Sequence, residues 1–167
     1  MTAQEYAEQV KTELIDTWLP LIYSERILKI RTRSYTFGAL SRKPTVEIQH
    51  TLLGVELKMG SRRLLCPDLA TARYLSVFAR AGCQEVAVPY DITRISQLAD
   101  ELESSWQRML LLADHKAAER TEAFRARIRG LLIAKLRGEI CAAGAGTQVP
   151  EFKQSTNNEP EGGISGV

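Results

Sequence analysis

The chain has 167 residues, 44% hydrophobic and 25% charged, which suits one domain with a core that needs no disulfide or metal to close it. That composition excludes collagen, a coiled-coil fibre and a zinc ribbon, and no run approaches the roughly 18 apolar residues of a membrane span. The net charge is only +2, yet residues 26–63 hold nine basic and two acidic residues between acidic ends, a basic region presented to partners.

Thr2-Ala3-Gln4-Glu5 reads as a capping box, and behind it Tyr6, Val10, Leu14 and Trp18 recur every four residues, with Ala7 and Ile15 alongside. This predicts an amphipathic helix stopped by Pro20. From Arg26 to Phe37 the period becomes two, with Leu28, Ile30, Thr32, Ser34 and Thr36 on one strand face. Lys29, Arg31, Arg33, Tyr35 and Phe37 share the other. Thr45 to Met59 alternates again, as a hairpin turning at Leu53-Gly54 that sets Leu52 against Val55, His50 against Leu57 and Ile48 against Met59. A second two-residue turn, Gly60-Ser61, brings Leu64 opposite Leu57 and Cys66 opposite Val55.

Asp68 caps the next helix and Gly82 stops it, with Leu69, Ala72, Leu75, Phe78 and Ala79 as its buried stripe. Glu85 to Val88 is a short strand ended by Pro89. Asp91 or Thr93 then begins a helix with apolar positions Ile95, Leu98, Leu102, Trp106, Met109 and Ala113. The pattern resumes at Phe124, Ile128, Leu131, Leu132, Leu136 and Ile140, so residues 92–141 form one long helix or a helical hairpin broken near Asp114. From Ala142 to Val167 the composition turns to Gly, Pro, Asn, Ser and Glu, which predicts a disordered tail. The expected fold is α+β: a core of residues 1–91 with an antiparallel three- to four-stranded sheet, then the helical extension and the tail.

Most catalytic constellations are missing from the sequence. His50 and His115 offer no paired metal spacing, and there is no Cys-x-x-Cys and no Gly-rich phosphate loop. His50, on the apolar strand face, reads as a core residue, and Gly144-Ala145-Gly146 as linker. Three cysteines, Cys66, Cys83 and Cys141, are odd in number and far apart, and the start Met1 to Glu5 is acidic and polar. Together these predict a reducing, cytoplasmic setting with no secretory signal.

Gly54-Val55-Glu56-Leu57-Lys58-Met59-Gly60, followed by a strand, a helix with Phe78-Ala79-Arg80-Ala81-Gly82 and the strand Val86-Ala87-Val88, resembles the core of the PD-(D/E)xK nucleases, above all the Holliday-junction-resolvase branch. The resemblance covers roughly residues 2–90. It implies that Glu56 holds Mg²⁺ and that Lys58, two residues on, steadies the phosphate or the attacking water from the same cleft. The family also places an Asp at the start of the preceding strand, commonly after Pro, whereas here Pro44 is followed by Thr45. In the expected register Glu56 faces Thr51 and Lys58 faces Gln49. Glu47 then lies four residues beyond the position opposite Glu56, about 13 Å away, too far to share an ion held at about 2.1 Å. The resemblance therefore implies a degenerate, non-catalytic relative, with an active Mg²⁺-dependent nuclease as the alternative if a bulge supplies the missing acid.

The basic strand face points to nucleic acid or another polyanion, since Lys29, Arg31 and Arg33 interleave with Tyr35, and Arg63 extends the potential from across the second hairpin. The rival reading is a protein-interaction adaptor. Residues 92–141 carry apolar positions to pair with a second copy or a partner, and Arg120, Arg125, Arg127 and Arg129 form a second cationic cluster. In that reading Val149, Pro150 and Phe152 of the tail fold on binding. Neither reading involves a membrane.

Overall fold

Thr2 opens the first helix with the reciprocal cap its spacing predicts: the Glu5 N–H donates to Thr2 Oγ1 (3.1 Å), and the Thr2 N–H donates to Glu5 Oε1 (2.8 Å). The computed structural model describes residues 1–38 and 45–146. Helix α1 runs Ala3–Leu14 and buries Ala3, Ala7, Val10 and Leu14. It stops at Leu14 rather than Pro20, because Ile15 takes φ +51° and begins a tight 3₁₀ turn, Ile15–Thr17. Pro20 instead sits in the first turn of a short helix, α2 (Leu19–Ile22), where its missing N–H leaves no gap. A wide π-type turn, Tyr23–Ile27, follows and buries Tyr23 and Ile27 completely.

That burial moves the start of the first strand. Helical spacing places Tyr23 and Ile27 inside, so the chain turns at Leu28–Ile30 and strand β1 covers only Thr32–Thr36. Lys29 is therefore exposed in the turn and not on the strand face, and Phe37 is buried, 1% exposed, just past its end. Strand β1 does not join the meander β2 (Val46–Thr51), β3 (Gly54–Met59) and β4 (Arg62–Cys66). It pairs antiparallel with β5 (Glu85–Pro89), so the α+β fold carries sheets of two and three strands.

The first hairpin turns at Leu52-Leu53, with Thr51 paired to Gly54, His50 to Val55, Ile48 to Leu57 and Val46 to Met59. Thr51 Oγ1 spans the turn by accepting the Leu53 N–H and donating to the Gly54 carbonyl, and Gly54 takes φ +130° in the first paired position. The pairing is offset by two residues from the expected one, which keeps every side chain on its expected face and changes its neighbours. The second hairpin has the expected register, Leu57 with Leu64 and Val55 with Cys66.

Helix α3 (Leu69–Arg80) is capped by Asp68, whose Oδ1 accepts the Thr71 N–H at 2.7 Å, and Gly82 follows it at φ +79°. Ala72, Leu75, Phe78 and Ala79 are buried as expected, while Leu69 is 44% exposed. Residues 92–141 resolve into a helical hairpin, α4 (Ile92–Lys116) and α5 (Glu122–Ala143). Thr121 caps α5, and the Arg125 guanidinium donates to the carbonyls of Ala117, Ala118 and Arg120 at the break. Ile128, Leu132, Leu136 and Ile140 of α5 lie in the same hydrophobic cluster as Val10 of α1, Phe78 of α3 and Leu102 of α4. Glu139 of α5 fastens α1 and the residue that opens α2 by accepting from Lys11 Nζ (2.7 Å) and from Trp18 Nε1 (2.8 Å).

Residues 142–146 belong to this body rather than to a tail. The Tyr23 hydroxyl donates to the Gly144 carbonyl at 2.6 Å, and Gly146 lies so close to Thr32 that a Cβ there would overlap the threonine hydroxyl. The expectation of disorder from 147 onward lies outside the described residues, as do Arg42, Lys43 and Pro44. Among the described residues no helix is long and apolar enough to cross a membrane.

Candidate nucleic-acid interface

Strand alternation sends Arg31 and Arg33 to one side of β1, and pairing sets Arg31 beside Tyr90, whose N–H donates to the Arg31 carbonyl at 3.2 Å. The guanidinium carbons of Arg31 and Arg33 lie 4.8 Å and 5.9 Å from the Tyr90 ring centroid. Both arginines are exposed, and the ring stands at the surface at 46% exposure. Cations over an aromatic face are held by the ring quadrupole. Among the described residues neither arginine, nor Lys29, has a carboxylate within ion-pairing distance. Elsewhere Arg73 holds Asp100 and Glu103, Arg129 holds Asp114 and Glu122, and Arg26 holds Glu101.

Tyr90 is the residue that sequence periodicity misses. It follows Pro89, which ends the alternating pattern, and only the pairing of β1 with β5 shows that it stands beside Arg31. Asp91 next to it is taken up as the cap of α4. Its carboxyl lies below the usual range because the Thr93 hydroxyl and N–H donate to it.

The other expected members fall elsewhere. Tyr35 is half-buried, packed edge-on against Phe37 with centroids 5.1 Å apart, and burial raises its phenol above the usual value. It turns toward a small cavity of about 70 Å³ between β1 and β4 rather than offering an open stacking face. Arg63 is on the three-stranded sheet and is committed there, its Nη1 lying 3.2 Å from Glu56 Oε1 and 3.4 Å from Gln49 Oε1. In the second cationic cluster, Arg125 and Arg129 bind the helical hairpin, and Arg120 lies 3.7 Å over the Phe124 ring.

Glu56 and Lys58 do project from one face of β3. The observed register corrects their surroundings: Glu56 stands opposite Gln49 and Lys58 opposite Glu47, not Thr51 and Gln49. Glu47 thus lies one two-residue step, about 7 Å, from the position facing Glu56, much nearer than the sequence register implied. That step still separates the two carboxylates, and the Glu56 carboxylate is engaged by Arg63. Among the described residues no three His, Cys, Asp or Glu side chains come together. His50, expected in the core, is exposed. Cys66 and Cys83 are buried, and Cys141 is at the surface.

Comparison with protein families, with curated proteins and with solved structures finds no match for this chain.

Proposed function

We propose that the chain binds an anionic polymer, single-stranded nucleic acid above all, through Arg31, Arg33 and Tyr90, with Lys29 adding charge at the margin. The observation that carries this reading is the pair of guanidinium groups flanking an exposed ring with no carboxylate partner among the described residues. Two residues apart on a strand, the arginines are spaced about 6–7 Å, the scale of successive phosphates along a nucleic-acid strand. The ring and the planar guanidinium groups both stack on unpaired bases, whose faces are hidden in a duplex. The β1–β5 ladder and the buried residues beneath it hold the groups in place before any ligand arrives.

Fluorescence anisotropy with labelled single-stranded and duplex DNA across a salt series tests this. Arg31→Ala/Arg33→Ala weakens binding and flattens the single-strand salt slope by about 1.4, two phosphate contacts' worth. Tyr90→Ala costs about 1–3 kcal/mol on single strands, much less on duplex, and leaves the slope unchanged. Wild-type protein that binds neither polymer at low salt refutes the proposal.

A further inference from the structure

Strand β2 is one edge of the three-stranded sheet, and its hydrogen-bonding phase is set by the bond from the Gly60 N–H to the Thr45 carbonyl (2.8 Å). Counting in twos from that bond, Glu47, Gln49 and Thr51 exchange hydrogen bonds with β3. The N–H and C=O groups of Val46, Ile48 and His50 point out of the sheet. Among the described residues nothing pairs with these outward groups. The strand also lacks the features that normally keep edges apart. Six consecutive residues pair without a bulge, none is proline or lysine, and Glu47 is the one charged side chain. At its end Leu52 and Leu53 form the turn, 107% and 78% exposed, where polar pairs such as Asn-Gly are usual.

We infer that β2 pairs antiparallel with β2 of a second copy of this chain, about a twofold axis at Ile48. In that register Val46 exchanges hydrogen bonds with the copy's His50, and Ile48 with the copy's Ile48, so every outward group of the strand is satisfied. The side chains agree with it. Glu47 falls opposite the copy's Gln49, an acid against an amide, and the half-buried strip of Val46 and Ile48 continues across the axis. A slip of two residues one way sets Glu47 against Glu47. The opposite slip carries the Val46 groups past the paired strand to the Leu52 turn. This self-complementarity selects a second copy over a foreign peptide as the occupant, and the surface is separate from the Arg31–Tyr90–Arg33 site.

Sedimentation of the full chain over a concentration series tests the inference. The wild type is a dimer. Gln49→Glu raises its dissociation constant about tenfold, and Gln49→Lys lowers it comparably, since each changes two symmetry-related pairs with Glu47. His50→Pro removes an outward donor that β3 does not use, and so gives a monomer with an unchanged circular dichroism spectrum. Should that variant fail to fold, the opposed Gln49 pair still decides. A wild-type monomer at every concentration overturns the inference. So does a dimer indifferent to both Gln49 changes, or a foreign strand on the edge of a monomeric chain.

Discussion

Thr32 shows how a polar side chain can be held inside by its surroundings rather than by a partner of its own. It is 1% exposed on the inner side of β1, and its Oγ1 has no hydrogen-bond partner among the described residues. The backbone of Gly146 closes over it. A buried hydroxyl with no partner costs about 1–3 kcal/mol relative to one that is bonded. A methyl of nearly the same shape in its place avoids that cost. Thr32→Val therefore raises stability by about 1 kcal/mol, read as a higher urea midpoint at unchanged slope. A lower midpoint would show that the hydroxyl carries a bond the fold depends on.

At the scale of elements, the junction between α1 and α2 stores strain in one residue. Ile15 is β-branched, sits at φ +51°, ψ −120°, and is 70% exposed, so little burial offsets its backbone conformation. Left-handed φ costs an L-residue about 1–2 kcal/mol, and glycine escapes that cost while giving up about 0.5–1 kcal/mol of chain entropy. Ile15→Gly is expected to melt at or above the wild-type temperature and Ile15→Ala to gain nothing; a glycine variant that melts lower would refute the strain. The same junction shows what the sequence makes legible. The capping box at Thr2, the cap at Asp68 and the second hairpin's register are local, set by residues within a few positions, and the structure has all three. What pattern alone misplaces depends on distant contacts. The Tyr23–Ile27 turn follows from burial against the whole core, and β1 lies beside β5 because the chain returns to it some fifty residues later. The first hairpin's register departs from the expected one because Thr51 closes the turn with its own hydroxyl and Gly54 opens the strand instead of occupying the turn. Of the candidate site, Arg31 and Arg33 are readable from alternation. Tyr90 needs the β1–β5 pairing, and the commitment of Arg63 to Glu56 needs the side-chain contacts.

Across the whole molecule one buried strand collects contacts from every layer. The Ala87 N–H of β5 donates to the Tyr23 hydroxyl at 2.9 Å, and its carbonyl accepts from the Tyr74 hydroxyl at 2.6 Å. Two side chains, from the π-type turn and from α3, thus satisfy Ala87 on the edge of β5 that no strand covers. Both rings are fully buried, and Cys83 beneath α5 is 3% exposed. Burial favours the neutral forms: it pushes the Tyr23 phenol up to about 12 and the Cys83 thiol up to about 12, and drives Tyr74 well above its ordinary value. All are raised relative to the unfolded chain, where a thiol titrates near 9.0 and a phenol near 10.0. Below pH 9 both states keep these protons and their full contribution to stability is present. Between 9 and about 12 the unfolded chain loses the thiol proton while the folded chain retains it, so stability falls as pH rises. Above 10 the phenols add to the decline. Cys66, whose thiol burial also raises, contributes to the first part of it. A group that titrates only in the unfolded chain removes about 1.4 kcal/mol per pH unit. Urea midpoints measured in steps from neutral pH upward are therefore level until the thiols begin to ionise and then drop with steepening slope. Cys83→Ala makes the drop shallower from 9 to about 12, by up to about 1.4 kcal/mol per pH unit, and leaves in place the steepening above 10 that Tyr23 and Tyr74 add. A wild-type midpoint that stays level through the thiol range, or a Cys83→Ala profile that superimposes on it, would mean that the buried thiol keeps no tighter hold on its proton than the unfolded chain does.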